Sequence, residues 1–117
     1  MGHYIGPDRL EKMHVLRVTD ILRQVPGLRV TYSPEGEIVT SSRGGGLLSS
    51  GSECVNYFLD DMPWNSFTPG DINDFVNGRE VVAVEVYQGG IAPAQYLRAG
   101  GGDCTTIVLW TRFKVRS

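Results

Sequence analysis

Val18-Thr19-Asp20-Ile21-Leu22-Arg23-Gln24-Val25-Pro26-Gly27, followed at once by Leu28-Arg29-Val30-Thr31-Tyr32, is the stretch that decides the fold. Val18, Ile21, Leu22 and Val25 recur at i, i+3, i+4 and i+7, which places them on one face of a helix. Thr19 reads as its N-cap. Pro26-Gly27 stops it, because proline cannot continue the ladder and glycine accepts the backbone turn that ends a helix. Leu28 to Tyr32 then switches to a period of two, as a half-buried strand does. A helix feeding a strand through a tight stop implies a layered domain with helices packed on a sheet.

Upstream, Pro7 suits a first helical turn, and Asp8 and Glu11 lie near its positive end. Downstream, Ser33-Pro34-Glu35-Gly36 is a turn signal, and Ile38 to Thr40 returns as the second strand of a hairpin. Ser41 to Ser52 is rich in glycine and serine and carries no apolar pattern, so it reads as a surface loop. Val55 to Leu59 is a further strand with Asp60-Asp61 at its end, and Thr68-Pro69 opens a short helix through Phe75 or Val76. Glu80 to Tyr87 and Thr105 to Phe113 are nearly continuous apolar runs, expected in the middle of a sheet covered on both faces. Between them Gln88 to Asp103 forms a second glycine-rich loop. Val82, Val84, Val86, Ile107 and Leu109 are the expected core, with Ile21 and Leu22 packed over them.

The 117 residues make one domain, 1–117, and 41% hydrophobic residues suffice for one core. A net charge of −2 argues against a nucleic-acid surface, which needs a positive stripe to displace counterions. No apolar run approaches the ~20 residues of a membrane-spanning helix. Met1 to Leu10 lacks the pattern of a signal peptide. Catalytic groups are few. His3 and His14 stand in no metal-ligand spacing. Asp60 and Asp61 are adjacent, so on a strand they face opposite sides and cannot serve one site without a bend. Cys54 with a distant histidine has no local support as a nucleophile. The reading is therefore no enzyme, no catalytic or metal site and no cofactor. Trp64, in Pro63-Trp64-Asn65, lies in a polar turn, where it packs over its own loop or anchors a ligand.

The order of segments resembles the plug domain of TonB-dependent outer-membrane receptors. Thr19–Gly27 and the strand after it resemble the opening of that domain. Arg43-Gly44 resembles its Arg-Gly signature, and Asn56-Tyr57-Phe58-Leu59-Asp60-Asp61-Met62-Pro63 its strand, Asp-Gly turn and hydrophobic-Pro segment. Val84-Glu85-Val86-Tyr87-Gln88-Gly89 and Gly100-Gly101-Gly102 leading into Ile107–Arg112 are similar to its last two strands. Three departures stand out. Asp61 occupies the usual Gly, Gln88 the usual Arg, and Gly90 the usual Pro. In the family that Arg helps to pair the plug with acidic groups of the barrel wall.

The resemblance implies an α+β fold: a small mixed β-sheet with short helices and two glycine-rich loops. It implies a domain that occludes a transport barrel and contacts a small-molecule or saccharide ligand through Arg43, Trp64, Asn65 and Ser66. It also implies a Cys54–Cys104 disulfide, against the alternative of two unrelated buried thiols. The expected partner is the β-barrel of the same receptor where the gene encodes one, and the expected location is the cell envelope. The alternative is a free-standing periplasmic or extracellular binding module that keeps the fold without a barrel, which the missing Arg at position 88 favours.

Overall fold

A computed structural model describes residues 2–14, 16–34, 36–41, 55–64, 72–88, 93 and 105–112. Strand β1 (His3–Ile5) leads into helix α1 (Pro7–Met13) and helix α2 (Val18–Leu22). Strands β2 (Leu28–Ser33) and β3 (Gly36–Ser41) follow, then β4 (Val55–Leu59), β5 (Met62–Trp64), helix α3 (Ile72–Phe75), β6 (Val81–Tyr87) and β7 (Thr105–Thr111).

Among the described residues, five strands form one sheet in the order β1-β6-β7-β4-β5, and β2-β3 is a separate two-stranded hairpin. The sheet is mixed. β6 pairs antiparallel with β1 and β7, and β5 antiparallel with β4, while β4 and β7 run parallel from Val55↔Thr105 to Leu59↔Leu109. The expected α+β class is the one observed. β7 is central and buried along most of its length, as its unbroken run of β-branched and apolar residues requires.

The α2 face behaves as its spacing predicts. Val18, Ile21, Leu22 and Val25 are all buried in the core against Val84, Val86, Ile107 and Leu109. Val39 of β3 belongs to the same core, so the hairpin packs on the body through it. Val82 corrects the expected core list. The register shifts between Val81 and Ala83, which turns Val81 inward and leaves Val82 half-buried beside Leu10 of α1.

Thr19 is a second correction. The N-cap is Arg17, in extended conformation, whose backbone N–H donates to the Asp20 carboxylate at 3.1 Å. Thr19 lies inside the helix, and its hydroxyl is spent on a distant partner. Two short strands went unanticipated. β1 holds only three residues, and β5 contains Pro63, so neither carries a readable period. β1 is nevertheless anchored by register, with His3, Tyr4 and Ile5 opposite Val86, Glu85 and Val84. Ile5 is fully buried.

Candidate functional site

The β4–β5 connection brings Trp64 into place. Leu59 pairs with Met62, leaving Asp60-Asp61 as a two-residue turn with φ of 51° and 74°. Positive φ at both positions is the requirement of a type I′ hairpin, where Asp-Gly is the usual solution. Asp61 therefore holds a left-handed conformation that glycine adopts at no steric cost. Asp60 is fixed by the end of β7: its carboxylate accepts from the Thr111 backbone N–H at 2.8 Å and the Thr111 hydroxyl at 2.6 Å. The turn is thereby tied to the central strand.

Trp64 is the last residue of β5, opposite Tyr57. Its ring meets Tyr57 edge-on at 5.6 Å between centroids, and Phe75 of α3 at 5.4 Å. The polar turn expected around Trp64 is thus an edge strand. Trp64 is half-buried, as Trp110 is, while Met62 and Phe75 beside it are exposed. Of the other residues expected at a ligand site, Arg43, Asn65 and Ser66 lie outside the described residues. So do Cys54 and Cys104, and no disulfide stands among the described contacts. The described residues contain no group of three or more His, Cys, Asp or Glu that could hold a metal ion, and no helix among them is long and apolar enough to cross a membrane.

Two polar clusters escaped the sequence. On one face of the large sheet, Glu85 accepts from Trp110 Nε1 at 2.6 Å and from the Tyr87 hydroxyl. Beneath the hairpin, Glu37 of β3 is buried, only 5% exposed. It accepts from the Thr19 hydroxyl at 2.6 Å and from Asn73 Nδ2 at 3.1 Å. It pairs with Arg17 at 3.1 Å and with Arg23 through a charge-assisted hydrogen bond. Burial alone would raise the Glu37 carboxyl, but the Thr19 hydroxyl and the two guanidinium groups outweigh it and hold the group below its ordinary range. Arg23 also contacts Asp20 at 2.9 Å and the Tyr32 hydroxyl at 2.9 Å. The partners lie far apart in the chain, so spacing gave no signal.

Gln88 provides a third contact. Its side-chain Nε2 donates to the Pro26 carbonyl at 2.7 Å. Gly27, at φ 90°, lies directly beneath: a Cβ there would come within 2.6 Å of Gln88 Oε1. Gln88 thus ties the end of β6 to the turn that follows α2.

The sequence profile described as TonB-dependent Receptor Plug Domain matches residues 3–102. No curated protein matches the chain. Among solved structures, the siderophore receptor PirA from Acinetobacter baumannii is 23% identical with a TM-score of 0.68, over 95% of this chain and 17% of that one. FpvA of P. aeruginosa, solved with heterologous pyoverdines, is 18% identical with a TM-score of 0.70, over 96% and 14%. The alcaligin outer-membrane receptor FauA from Bordetella pertussis is 15% identical with a TM-score of 0.68, over 96% and 18%. The chain therefore spans less than a fifth of these receptors. The similarity in fold and the profile match over most of its length place this chain in the TonB-dependent receptor plug domain family.

Proposed function

We propose that this chain is the plug of an outer-membrane receptor in the cell envelope. It occludes a β-barrel of the same polypeptide and contacts cargo through the stretches that carry Arg43 and Trp64-Asn65-Ser66. The observation supporting this reading is the profile match over residues 3–102, which includes every strand but β7. The work is binding and gating, not catalysis. The solved relatives are named as receptors for siderophores or as complexes with them, which makes a ferric siderophore the ligand class to test.

The full coding sequence provides the first test: downstream of Ser117 it should encode segments of about ten residues with alternating polarity, the mark of barrel strands. Cells carrying that receptor should bind at least one of ferric enterobactin, pyoverdine and alcaligin. Trp64→Ala should weaken that binding about tenfold with the fold intact, the effect of losing an aromatic anchor. A reading frame without barrel strands, or a receptor that binds none of the three, overturns the proposal.

Gln88 favours a second reading, a free-standing periplasmic or extracellular binding module. Its amide is engaged with Pro26 of its own domain, whereas the Arg that the resemblance leads one to expect there would pair with the barrel wall. A reading frame that ends without a barrel would select this alternative.

The Cys54–Cys104 pairing is likewise a proposal, and it rests on the resemblance alone. Mass analysis of exported, unreduced chain after alkylation should find no free thiol. Two alkylated cysteines would refute the bond.

A further inference from the structure

Among the described residues, the hairpin β2–β3 shares no backbone ladder with the five-stranded sheet. A two-stranded hairpin is marginal in water and needs a body to pack on. Its apolar anchorage is small: Val39 is buried, while Leu28 and Val30 are only partly so and Tyr32 is 75% exposed. Against that small contact stands one buried carboxylate. Glu37 reaches from the hairpin to Thr19 of α2, to Arg17 and Arg23 at the two caps of that helix, and to Asn73 of α3.

We propose that β2–β3 is a flap that leaves the body as one unit while the five-stranded sheet stays folded, and that Glu37, gripped by Thr19, Asn73, Arg17 and Arg23, is its latch. The latch is balanced in charge: two guanidinium groups, Arg17 and Arg23, face two carboxylates, Glu37 and Asp20. Tyr32 lies against Arg23, its ring centroid 5.7 Å from the guanidinium carbon. Asn73 also donates to Thr19 Oγ1 at 3.1 Å, so the two neutral partners of Glu37 hold each other in place. Removing the negative charge of Glu37 leaves two arginines facing Asp20 alone and removes both ion pairs that tie the hairpin to Arg17 and Arg23. The components of such a network act jointly.

A cleft of about 390 Å³ lined by Met13, His14, Asp20, Arg23 and Gln24 borders the latch on the Arg23 side. Water and protons therefore reach the outer side of the Asp20–Arg23 pair without any opening of the sheet. Local openings of this kind occur in cooperative pieces, each with its own free energy. The inference does not depend on the transport reading.

Amide hydrogen exchange of the whole chain, read residue by residue by NMR, tests it. In the wild type at neutral pH, β2 and β3 should exchange at least about tenfold faster than β6 and β7, as a separate unit requires. Glu37→Gln should accelerate the hairpin amides by a further factor of about ten while β6 and β7 keep their rates. Val39→Ala, which weakens the apolar anchorage instead, should act on the same amides. Equal acceleration in both sheets, or none in the hairpin, overturns the proposal. Should Glu37→Gln fail to fold, the wild type itself serves. Lowering the pH through the carboxylate range must release β2 and β3 before β6 and β7, after correction for intrinsic exchange rates. Simultaneous release refutes the latch.

Discussion

Glu37 and Glu85 are both glutamates on strands with their carboxylates engaged, yet they do different work. Glu85 binds within its own sheet. Tyr87 is two residues along the same strand, and Trp110 lies diagonally across from it, two positions beyond the Val108 that pairs with Glu85. The pleat brings such groups together wherever the strands pair, so Glu85 ornaments a sheet already held by its ladders. Glu37 binds outside its sheet, to two helices, and its contacts largely determine whether the hairpin is docked at all. The difference lies in what remains after the contact is lost: a paired strand in one case, an undocked hairpin in the other.

The sharpest way to break this comparison is to remove each carboxylate. Glu37→Ala leaves Arg17 and Arg23 without their buried partner and should cost about 3–5 kcal/mol in urea unfolding, as breaking one side of a buried ion pair does. Glu85→Ala frees only neutral donors on half-buried rings and should cost about 1–2 kcal/mol. Equal losses would remove the distinction.

Acid provides the next test. The folded-state pKa of Glu37 lies below its ordinary value of 4.5. Its contribution to stability is therefore present above 4.5 and is lost as pH falls through the lower folded value. Urea unfolding of wild type and Glu37→Gln across acid pH should show the two stabilities converging in that window. Parallel curves down to the lowest pH would mean that the carboxylate charge is not what Glu37 contributes.

The smallest effect concerns the sheet alone. Asp61→Gly relieves a left-handed residue in the β4–β5 turn and should stabilise the fold by about 0.5 kcal/mol, seen as a small rise in Tm. Because this turn lies in the other sheet from Glu37, the acid dependence should be unchanged. A fall in Tm would show that the Asp61 side chain supports the turn by more than its backbone costs.

Much of the fold was legible because long elements carry a period. The α2 face, the hairpin and the apolar runs of β6 and β7 each repeat their pattern often enough to be read. β1 and β5 did not, since three residues cannot establish alternation and Pro63 argues against a strand. Thr19 misled for a local reason: a threonine before an apolar helical face is an N-cap by every near-neighbour rule. Its actual partner, Glu37, is 18 residues away, and Asn73 is 36 residues beyond that glutamate. The candidate site was legible mainly through resemblance. Trp64 stands out in the sequence as an aromatic in a polar stretch, but its place between Tyr57 and Phe75 depends on a strand pairing and a helix that the polar composition around it conceals.

The central strand of the large sheet, β7, is also the last of that sheet's five described strands in sequence order. During synthesis β1 must await β6, and β4 can pair with β5 alone. Neither pair can join the other until Thr105–Thr111 emerges and slides between β6 and β4. Until then the apolar faces of Val84, Val86, Tyr57 and Leu59 lack the strand that unites them. Closing a parallel pair across so long an intervening segment is slow, because the loop must be ordered before any contact rewards it. The nascent domain thus passes through a stage of disconnected ribbons with sticky edges, the stage at which a chaperone has something to hold. Completion is a single late insertion, so a chain truncated before β7 loses its middle and with it the whole sheet.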